Sequence, residues 1–190
     1  MKKIFDYTLA LISLIVLAPL FLLIAILIKK DSKGPVFFKQ KRVGLNQKIF
    51  EIYKFRTMVD GAINIGKGLK IEKNDTRITK LGKFLRKTSL DELPQFINIL
   101  RGEMSFVGPR PPVPYYPYKI GEYSREKAKR FGVKPGITGL AQVTGRNNLS
   151  WDERIVYDVE YVKKQSFLFD IKILINTFLK VLKKEDVYNF

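Results

Sequence analysis

The sequence predicts an α-rich α+β protein in two parts. An apolar N-terminal helical segment occupies 1–30, and a compact domain with long loops and minor β structure occupies 31–190. Three observations support this prediction. Residues 7–28 form a run of 22 uncharged, mostly aliphatic positions. Short apolar stretches between 36 and 53 are separated by glycine-containing turns, which is typical of extended structure. Near the C-terminus, apolar residues recur at helical spacing.

The composition narrows the chemistry available to this chain. Its 190 residues include 35 Lys and Arg against 18 Asp and Glu, a formal charge of +17, and neither Cys nor His. Thiolate nucleophiles, Ser-His and Cys-His triads, disulfides and zinc sites built from His or Cys are therefore excluded. Acid–base or nucleophilic work must come from Asp, Glu, Lys, Tyr, Ser or Thr. The positive charge indicates an anionic partner: nucleic acid, acidic lipid headgroups or a phosphorylated substrate.

The apolar run at 7–28 is predicted to be a retained membrane segment. As a straight helix it would reach roughly 33 Å, against about 30 Å for a bilayer core, and no small-residue cleavage site of a signal peptide precedes Lys29. Pro19 interrupts the run and leaves two pieces that are each too short to span. Lysines flank both ends, and a helix that dips in and returns would keep them on the cytoplasmic side. A kinked span is an equal alternative, since proline is tolerated in transmembrane helices. With no second span, the basic remainder is expected to face the cytoplasm.

Glycines and prolines divide the rest of the chain. Residues 31–60 are expected to be extended with turns. The stretch that follows contains glycines at 61, 66 and 68 and is expected to be a loop. The segments expected to be helical are 81–87, 90–100, 150–164, which begins with a capping-box pattern, and 167–184. Those expected to be irregular are 108–117, with five prolines, and the glycine-rich 132–145. The last helix is amphipathic, and either core packing or a place in the membrane interface would use its apolar face.

The sharpest chemical signal is the sequence SLDELPQ at 89–95. One interpretation is a capped helix start, with Ser89 as the cap and Glu92 closing a capping box. The other is a reactive acidic pair, Asp91 and Glu92, set among cations. Those cations are Lys80, Lys83, Arg86, Lys87 and Arg101. Neighbours on a helix diverge by about 100°, so the two carboxylates would share a metal or take separate roles. A helix N-terminus and nearby arginines would keep Asp91 ionised, as a nucleophilic carboxylate requires.

Two loops carry further candidate groups. Arg110 stands between Pro109 and Pro111. Its backbone therefore has little freedom, which suits a preorganised grip on a phosphate as well as an ordinary solvated loop. Glycines in 134–147 allow backbone donors to approach a ligand closely, although many surface loops share this pattern. The side chains that would add hydrogen bonds there are Thr138, Gln142, Arg146 and Asn147.

Taken together and in chain order, these segments closely resemble the bacterial sugar transferases. These are the monotopic phosphoglycosyl transferases that start glycan assembly on polyprenyl phosphate. The matching segments are the proline-broken membrane segment, KFRTM at 54–58, DTRIT at 75–79, SLDELPQ at 89–95, MSFVGPRP at 104–111 and KPGITGLAQV at 134–143. The resemblance covers essentially the whole chain, in the minimal form that consists of the catalytic core.

The resemblance implies a reaction and a set of roles. Such enzymes transfer a phosphosugar from a UDP-sugar to undecaprenyl phosphate, giving undecaprenyl diphosphosugar and UMP, with Mg²⁺. Asp91 would attack the β-phosphorus and form a covalent aspartyl phosphosugar, while Glu92, with Asp91 contributing, would hold Mg²⁺. The residues expected to bind substrate or phosphate are Lys54, Arg56, Arg86, Pro109, Arg110, Pro111, Thr138, Gln142 and Arg146. Alternatives are a ternary-complex route to the same products and a membrane-tethered anion-binding module without catalysis.

The resemblance also implies a location and partners. The membrane segment of the family is a re-entrant helix broken at a proline, so Pro19 is expected to mark such a break, although Ala18 stands where the family often has serine. The enzyme would be monotopic in the bacterial inner membrane, with its catalytic domain on the cytoplasmic face and amphipathic helices at the interface. Its partners would be a UDP-sugar, undecaprenyl phosphate and membrane lipids. Nucleic acid is not expected, because the chain lacks an aromatic-basic stacking array. Neither the sugar nor the oligomeric state follows from the sequence.

Overall fold

A computed structural model describes residues 1–65, 75–145 and 148–183. Its N-terminal part consists of two helices, α1 (Lys2–Val16) and α2 (Ala18–Asp31). Pro19 stands in the first turn of α2, where a missing N–H leaves no helical hydrogen bond unmade, and the two helices are bent by 61°. Neither of them is long and apolar enough by itself to cross a bilayer, whereas the bent pair together has the length and composition to do so. The break predicted at Pro19 is therefore confirmed.

The remaining described elements form a mostly helical body with two small sheets. They are β1 (Phe37–Val43), β2 (Ile49–Phe55), α3 (Lys80–Thr88), α4 (Gln95–Leu100), β3 (Ser105–Val107), α5 (Arg125–Ala128), β4 (Gly136–Thr138), α6 (Leu140–Thr144), α7 (Trp151–Lys164) and α8 (Phe167–Lys183). Strands β1 and β2 pair as an antiparallel hairpin, and β3 pairs with β4 in parallel. The predicted α-rich α+β class is thus confirmed, and so is the extended structure expected within 31–60.

Both N-terminal helices pack on this body. Helix α1 contacts α4 and β3 and buries Ala10 in the main core beside Ile99. Helix α2 contacts α3, and its Ile24 shares a second core cluster with Phe55 and Leu85. The apolar helices therefore set the position of the hairpin and of α3, the two elements that lead to the acidic pair.

The segment 89–95 does not form the capped helix that its sequence pattern suggested. Ser89 adopts a left-handed conformation with φ of 57°, and its side chain makes no capping hydrogen bond. A 3₁₀ turn at Leu90–Glu92 follows, and α4 begins only after it, so the helix predicted at 90–100 is shorter than expected. The capping-box interpretation is therefore wrong, because the Glu92 carboxylate bonds to distant side chains instead. The helix predicted at 81–87 is present as α3.

The glycine-rich segment 132–145 is more regular than predicted. It contains β4 and α6, so the expectation of irregular structure was wrong there. The strand is possible because Gly136 has no side chain: a Cβ at that position would lie 2.1 Å from the backbone nitrogen of Gly108. The proline-rich 108–117 consists of loop and turns with one isolated bridge, as predicted.

The two C-terminal helices differ in how much of their apolar surface they bury. Helix α7 starts with the predicted capping box, formed by Ser150 and Glu153. Helix α8 buries Asp170 and Ile173 against the body. The large apolar side chains that it leaves exposed are Leu168, Ile175, Phe178, Leu179 and Val181. Most of the apolar face predicted for this helix is therefore open to solvent, and core packing does not account for it.

Candidate active site

The acidic pair, Asp91 and Glu92, lies on a buried turn between α3 and α4. The left-handed Ser89 ends α3 and turns the chain toward strand β2, which the turn contacts. The Asp91 and Glu92 side chains are only 12% and 17% exposed. Lys54, near the end of β2, lies between the two carboxylates. The hairpin therefore supplies the first cation of the site.

Two cations hold Glu92 in place. Lys54 Nζ donates to Glu92 Oε1 at 2.6 Å, and Arg110 Nη2 donates to the same oxygen at 2.7 Å. Arg110 Nη1 lies farther away, 3.4 Å from Oε2. Burial raises the pKa of Glu92, but the charges and hydrogen bonds of Arg110 and Lys54 outweigh burial and hold that pKa well below its usual range. Glu92 is therefore an ionised group that ties the Arg110 loop to β2.

Asp91 is less engaged than its neighbour. Its Oδ2 lies 4.0 Å from Lys54 Nζ, and the structure shows no hydrogen bond to this carboxylate from any residue that it describes. Burial raises the pKa of Asp91 to about 6, with Lys54 opposing that rise and Glu92 adding to it. At neutral pH the carboxylate is mostly ionised and keeps an uncommitted oxygen. Those are the properties of a nucleophile.

A third cation approaches the pair from α3. Arg86 Nε donates to Thr57 Oγ1 at 2.8 Å, which orients the guanidinium. The charge of Arg86 lowers the pKa of Asp91, as that of Arg110 does. The structure therefore brings together Lys54, Arg86 and Arg110 around the acidic pair, as predicted. Three cations beside two carboxylates favour an anionic ligand.

Other predicted site residues are placed elsewhere. The Arg56 guanidinium is buried and donates to the carbonyls of Ser32 and Lys33, at the C-terminal end of α2, with 2.8 Å to the Ser32 oxygen. It therefore anchors a helix end, and the described residues show no contact between Arg56 and the acidic pair. Pro109 and Pro111 flank Arg110 and shape its loop without offering a donor.

The glycine-rich segment contributes no contact to the acidic pair in the described structure. Thr138 Oγ1 lies 2.7 Å from Thr177 Oγ1, so it links β4 to α8. Gln142 Nε2 makes a long contact of 3.5 Å with the carbonyl of Ile137. Arg146 lies outside the described residues. The predicted binding roles of these three residues stay predictions.

One group near the site was not anticipated from the sequence. Arg130 and Asp158 form an ion pair with Nη2 and Oδ2 2.6 Å apart, and both side chains are almost fully buried, 1% and 2% exposed. Arg130 Nη2 also donates to the Arg110 carbonyl at 2.8 Å. The sequence could have indicated the buried position of Asp158, because Asp158 falls on the same face of α7 as Ile155 and Val159 at helical spacing. A carboxylate on an apolar helix face requires a buried partner.

The acidic pair fits Mg²⁺ only as a site shared with a ligand. The described residues include no group of three or more acidic side chains that could hold a metal alone. Mg²⁺ is commonly held by one or two carboxylates together with substrate phosphates and water. Among the residues that the structure describes, none donates a hydrogen bond to Asp91, and Glu92 Oε2 makes a long contact of 3.4 Å with Arg110. Asp91 and Glu92 are therefore suited to Mg²⁺ that arrives with a diphosphate.

This arrangement of buried carboxylates and surrounding cations fits chemistry on a phosphorylated substrate. The chain belongs to the bacterial sugar transferase family, which it matches over residues 1–184. It is 43% identical to the uncharacterized sugar transferase EpsL of Bacillus subtilis, over 98% of this chain and 90% of that relative.

Longer relatives have more specific names. The UDP-glucose:undecaprenyl-phosphate glucose-1-phosphate transferase of Xanthomonas campestris is 43% identical over 98% of this chain and 40% of its own length. The undecaprenyl-phosphate galactose phosphotransferase of Salmonella typhimurium is 39% identical over 99% of this chain and 41% of its own length. The chain therefore spans about two-fifths of each of these two relatives.

Proposed function

We propose that this protein transfers a phosphosugar from a UDP-sugar to undecaprenyl phosphate, giving undecaprenyl diphosphosugar and UMP. The observation that carries the proposal is the acidic pair. Asp91 is a buried carboxylate that accepts no hydrogen bond from the described residues, and it lies beside Glu92, whose Oε1 is bound by two cations. The names of the relatives support the substrates, since several act on undecaprenyl phosphate with glucose or galactose.

The proposal gives the two carboxylates different roles. An Asp91 oxygen attacks the β-phosphorus of the UDP-sugar, the bond from that phosphorus to the bridging oxygen breaks, and UMP leaves with the electron pair. A phosphate oxygen of undecaprenyl phosphate then attacks the same phosphorus and releases the Asp91 carboxylate. Glu92 does not serve as nucleophile, because Lys54 and Arg110 occupy its Oε1.

The cations offset the repulsion between a carboxylate and an anionic phosphorus. Glu92 already orients Lys54, which is largely buried, and Arg110, which is partly exposed, so both cations require little rearrangement when phosphate oxygens enter. Arg86 adds positive charge on the α3 side. Mg²⁺ bound by Asp91, Glu92 and the diphosphate would further neutralise the phosphate charge. Positioning and charge compensation account for most of the catalysis expected in phosphoryl transfer.

The same proposal places the protein on the cytoplasmic face of the bacterial inner membrane, as a monotopic enzyme. The α1–α2 pair would enter the bilayer as a re-entrant hairpin with its bend near Pro19, since its exposed apolar side chains need a nonpolar surrounding. The exposed apolar face of α8, with Lys172 and Lys180 on the same helix, would lie in the interface. Such a position would hold the acidic pair close to the membrane surface, where a substrate with a lipid-linked phosphate presents that phosphate.

The test is UMP release by purified protein in nanodiscs with Mg²⁺, undecaprenyl phosphate and a panel of UDP-sugars. Wild-type protein should release UMP with at least one sugar, and Asp91→Asn should not. Asp152→Asn is the control, because it removes an exposed carboxylate that pairs with Lys127 instead. Turnover that survives in Asp91→Asn would refute the assigned nucleophile.

A further inference from the structure

The loop that carries Arg110 is held through its carbonyl groups. Three of its four residues, 109–112, are prolines, which have no N–H to donate, so hydrogen bonds to this loop must reach its carbonyl oxygens. Each of the four accepts one. The donors are Gly136 N for Pro109 at 3.0 Å, Arg130 Nη2 for Arg110 at 2.8 Å, Arg42 Nη1 for Pro111 at 2.9 Å and Val43 N for Pro112 at 2.9 Å. Strands β1 and β4 and the segment after α5 therefore fix this loop together.

Arg130 is the most deeply buried of these side-chain donors. It is 1% exposed, and its guanidinium carbon lies 5.5 Å from the ring centroid of Phe131 and 5.9 Å from that of Trp151. Asp158 on α7 neutralises it at 2.6 Å and is equally buried. Desolvating such a pair is costly, and the pair adds little stability compared with apolar residues of the same size. Its presence therefore calls for a role other than stability.

We propose that Arg130, held by Asp158, is a positioning residue that fixes the main chain of Arg110 and thereby aims the Arg110 guanidinium at Glu92 and at the incoming diphosphate. The inference rests on the proposed phosphosugar transfer. The Arg110 side chain is 35% exposed and contacts Glu92 at 2.7 Å. Once phosphate oxygens compete with Glu92 for the guanidinium, the backbone restraint from Arg130 remains.

The main test variant removes both buried charges together. Arg130→Met with Asp158→Leu replaces the pair by apolar side chains and leaves no unpaired charge in the core, so the fold should persist. Arg130→Lys is the second variant, because it keeps the positive charge near Asp158 but loses the planar guanidinium whose Nη2 contacts both Asp158 and the Arg110 carbonyl. Lys129→Met is the control: it removes the neighbouring positive charge, whose partner is Glu126 on the surface.

The measurements separate positioning from a merely structural role. The rate of UMP release in a single turnover should fall 10- to 100-fold in the double variant, because small misplacements of a catalytic group cost rates of this order. Its thermal midpoint and that of Lys129→Met should stay within a few degrees of wild type. Hydrogen exchange at the Val43 amide, which bonds to Pro112, should become faster in the double variant only.

A double-mutant cycle decides the mechanism of the effect. In an Arg110→Ala background, the Arg130 and Asp158 substitutions should change the rate less than 3-fold, because the group that they position is already gone. Arg130→Lys should lower the rate of UMP release by a smaller factor, and this loss should likewise disappear in the Arg110→Ala background.

The possible results distinguish failure of the positioning role from failure of the proposed function. An unchanged single-turnover rate in the double variant, or a loss of equal size in both backgrounds, would overturn the positioning role. If the double variant does not fold, the single-turnover rates of Arg130→Lys in the wild-type and Arg110→Ala backgrounds test the positioning role instead, by the same criteria. Wild-type protein that releases no UMP from any UDP-sugar, while Val43 exchange still responds to Arg130, would instead overturn the proposed function and leave the loop restraint established.

Discussion

Replacement of Asp91 by asparagine should move stability and activity in opposite directions. The buried carboxylate has a pKa of about 6 in the folded protein instead of its ordinary 3.8, and burial is the main cause. Each pH unit of such a difference corresponds to about 1.4 kcal/mol. Ionised Asp91 therefore destabilises the fold by up to about 3 kcal/mol, a penalty that Asp91→Asn would largely remove.

The sign of the effect depends on pH. Because the folded protein holds the Asp91 proton more tightly than the unfolded chain, this group opposes folding fully above about pH 6 and hardly at all below about pH 4. For a protein of this size, 1 kcal/mol shifts the melting temperature by about 2–4 °C. Asp91→Asn should therefore melt about 5–10 °C above wild type at pH 7.5 and close to wild type at pH 4.

Thermal unfolding in detergent without divalent cations measures the melting temperatures at pH 7.5 and pH 4. Glu92→Gln is the matched comparison variant. That substitution removes the negative charge that Lys54 and Arg110 share, and breaking a buried ion pair costs about 3–5 kcal/mol. It should lower the melting temperature at pH 7.5. If Asp91→Asn lowered it as well, Asp91 would be a structural carboxylate and the reasoning from its raised pKa would be refuted.

Further predictions concern two cations and the membrane segment. Arg56→Met should lower the melting temperature, because it uncovers carbonyls at the end of α2, yet it should change the rate at saturating substrate less than 3-fold. A 100-fold loss of rate in a folded Arg56→Met would show instead that this residue acts in the site. Lys54→Met should raise the pKa of Asp91 above about 6 and shift the acidic limb of the UMP-release pH profile upward, and an unshifted limb would exclude control of Asp91 by Lys54. Since the chain has no native Cys, a cysteine at Lys3 can be labelled selectively: it should react from the cytoplasmic side, whereas Pro19→Leu should move it to the opposite side. Labelling of Lys3→Cys from the outside in the Pro19-containing protein would exclude re-entrance.

Local sequence patterns predicted some elements well. The capping box of α7 depends on residues three positions apart, and the break at Pro19 depends on the chemistry of one residue. The apolar stretches and turn glycines likewise predicted extended structure where β1 and β2 lie, although not their pairing. The acidic pair was identified in SLDELPQ and Arg110 in its proline-rich loop, whereas Lys54 and Arg86 were assigned to the site through the family resemblance. The structure brings these five residues together.

Long-range contacts explain what the sequence did not reveal. SLDE at 89–92 reads locally as a capping box, but Lys54 and Arg110, 38 and 18 residues away from Glu92, compete for its carboxylate and win. The short strand β4 exists only because it pairs with β3. Nothing in the sequence distinguishes Arg56 from other cations, because its partner Ser32, at the end of α2, lies 24 residues earlier in the chain. A buried cation such as Arg130 is recognised only with its partner Asp158.

The covalent step is the central claim, and intact-mass analysis tests it most directly. Wild-type protein mixed with Mg²⁺ and its UDP-sugar, without undecaprenyl phosphate, should gain the mass of one phosphosugar and release one equivalent of UMP. Peptide mapping should locate the adduct at Asp91, and added undecaprenyl phosphate should discharge it as undecaprenyl diphosphosugar. UMP release that occurs only when the lipid is present, with no adduct at any time, would contradict the covalent route and favour a ternary complex.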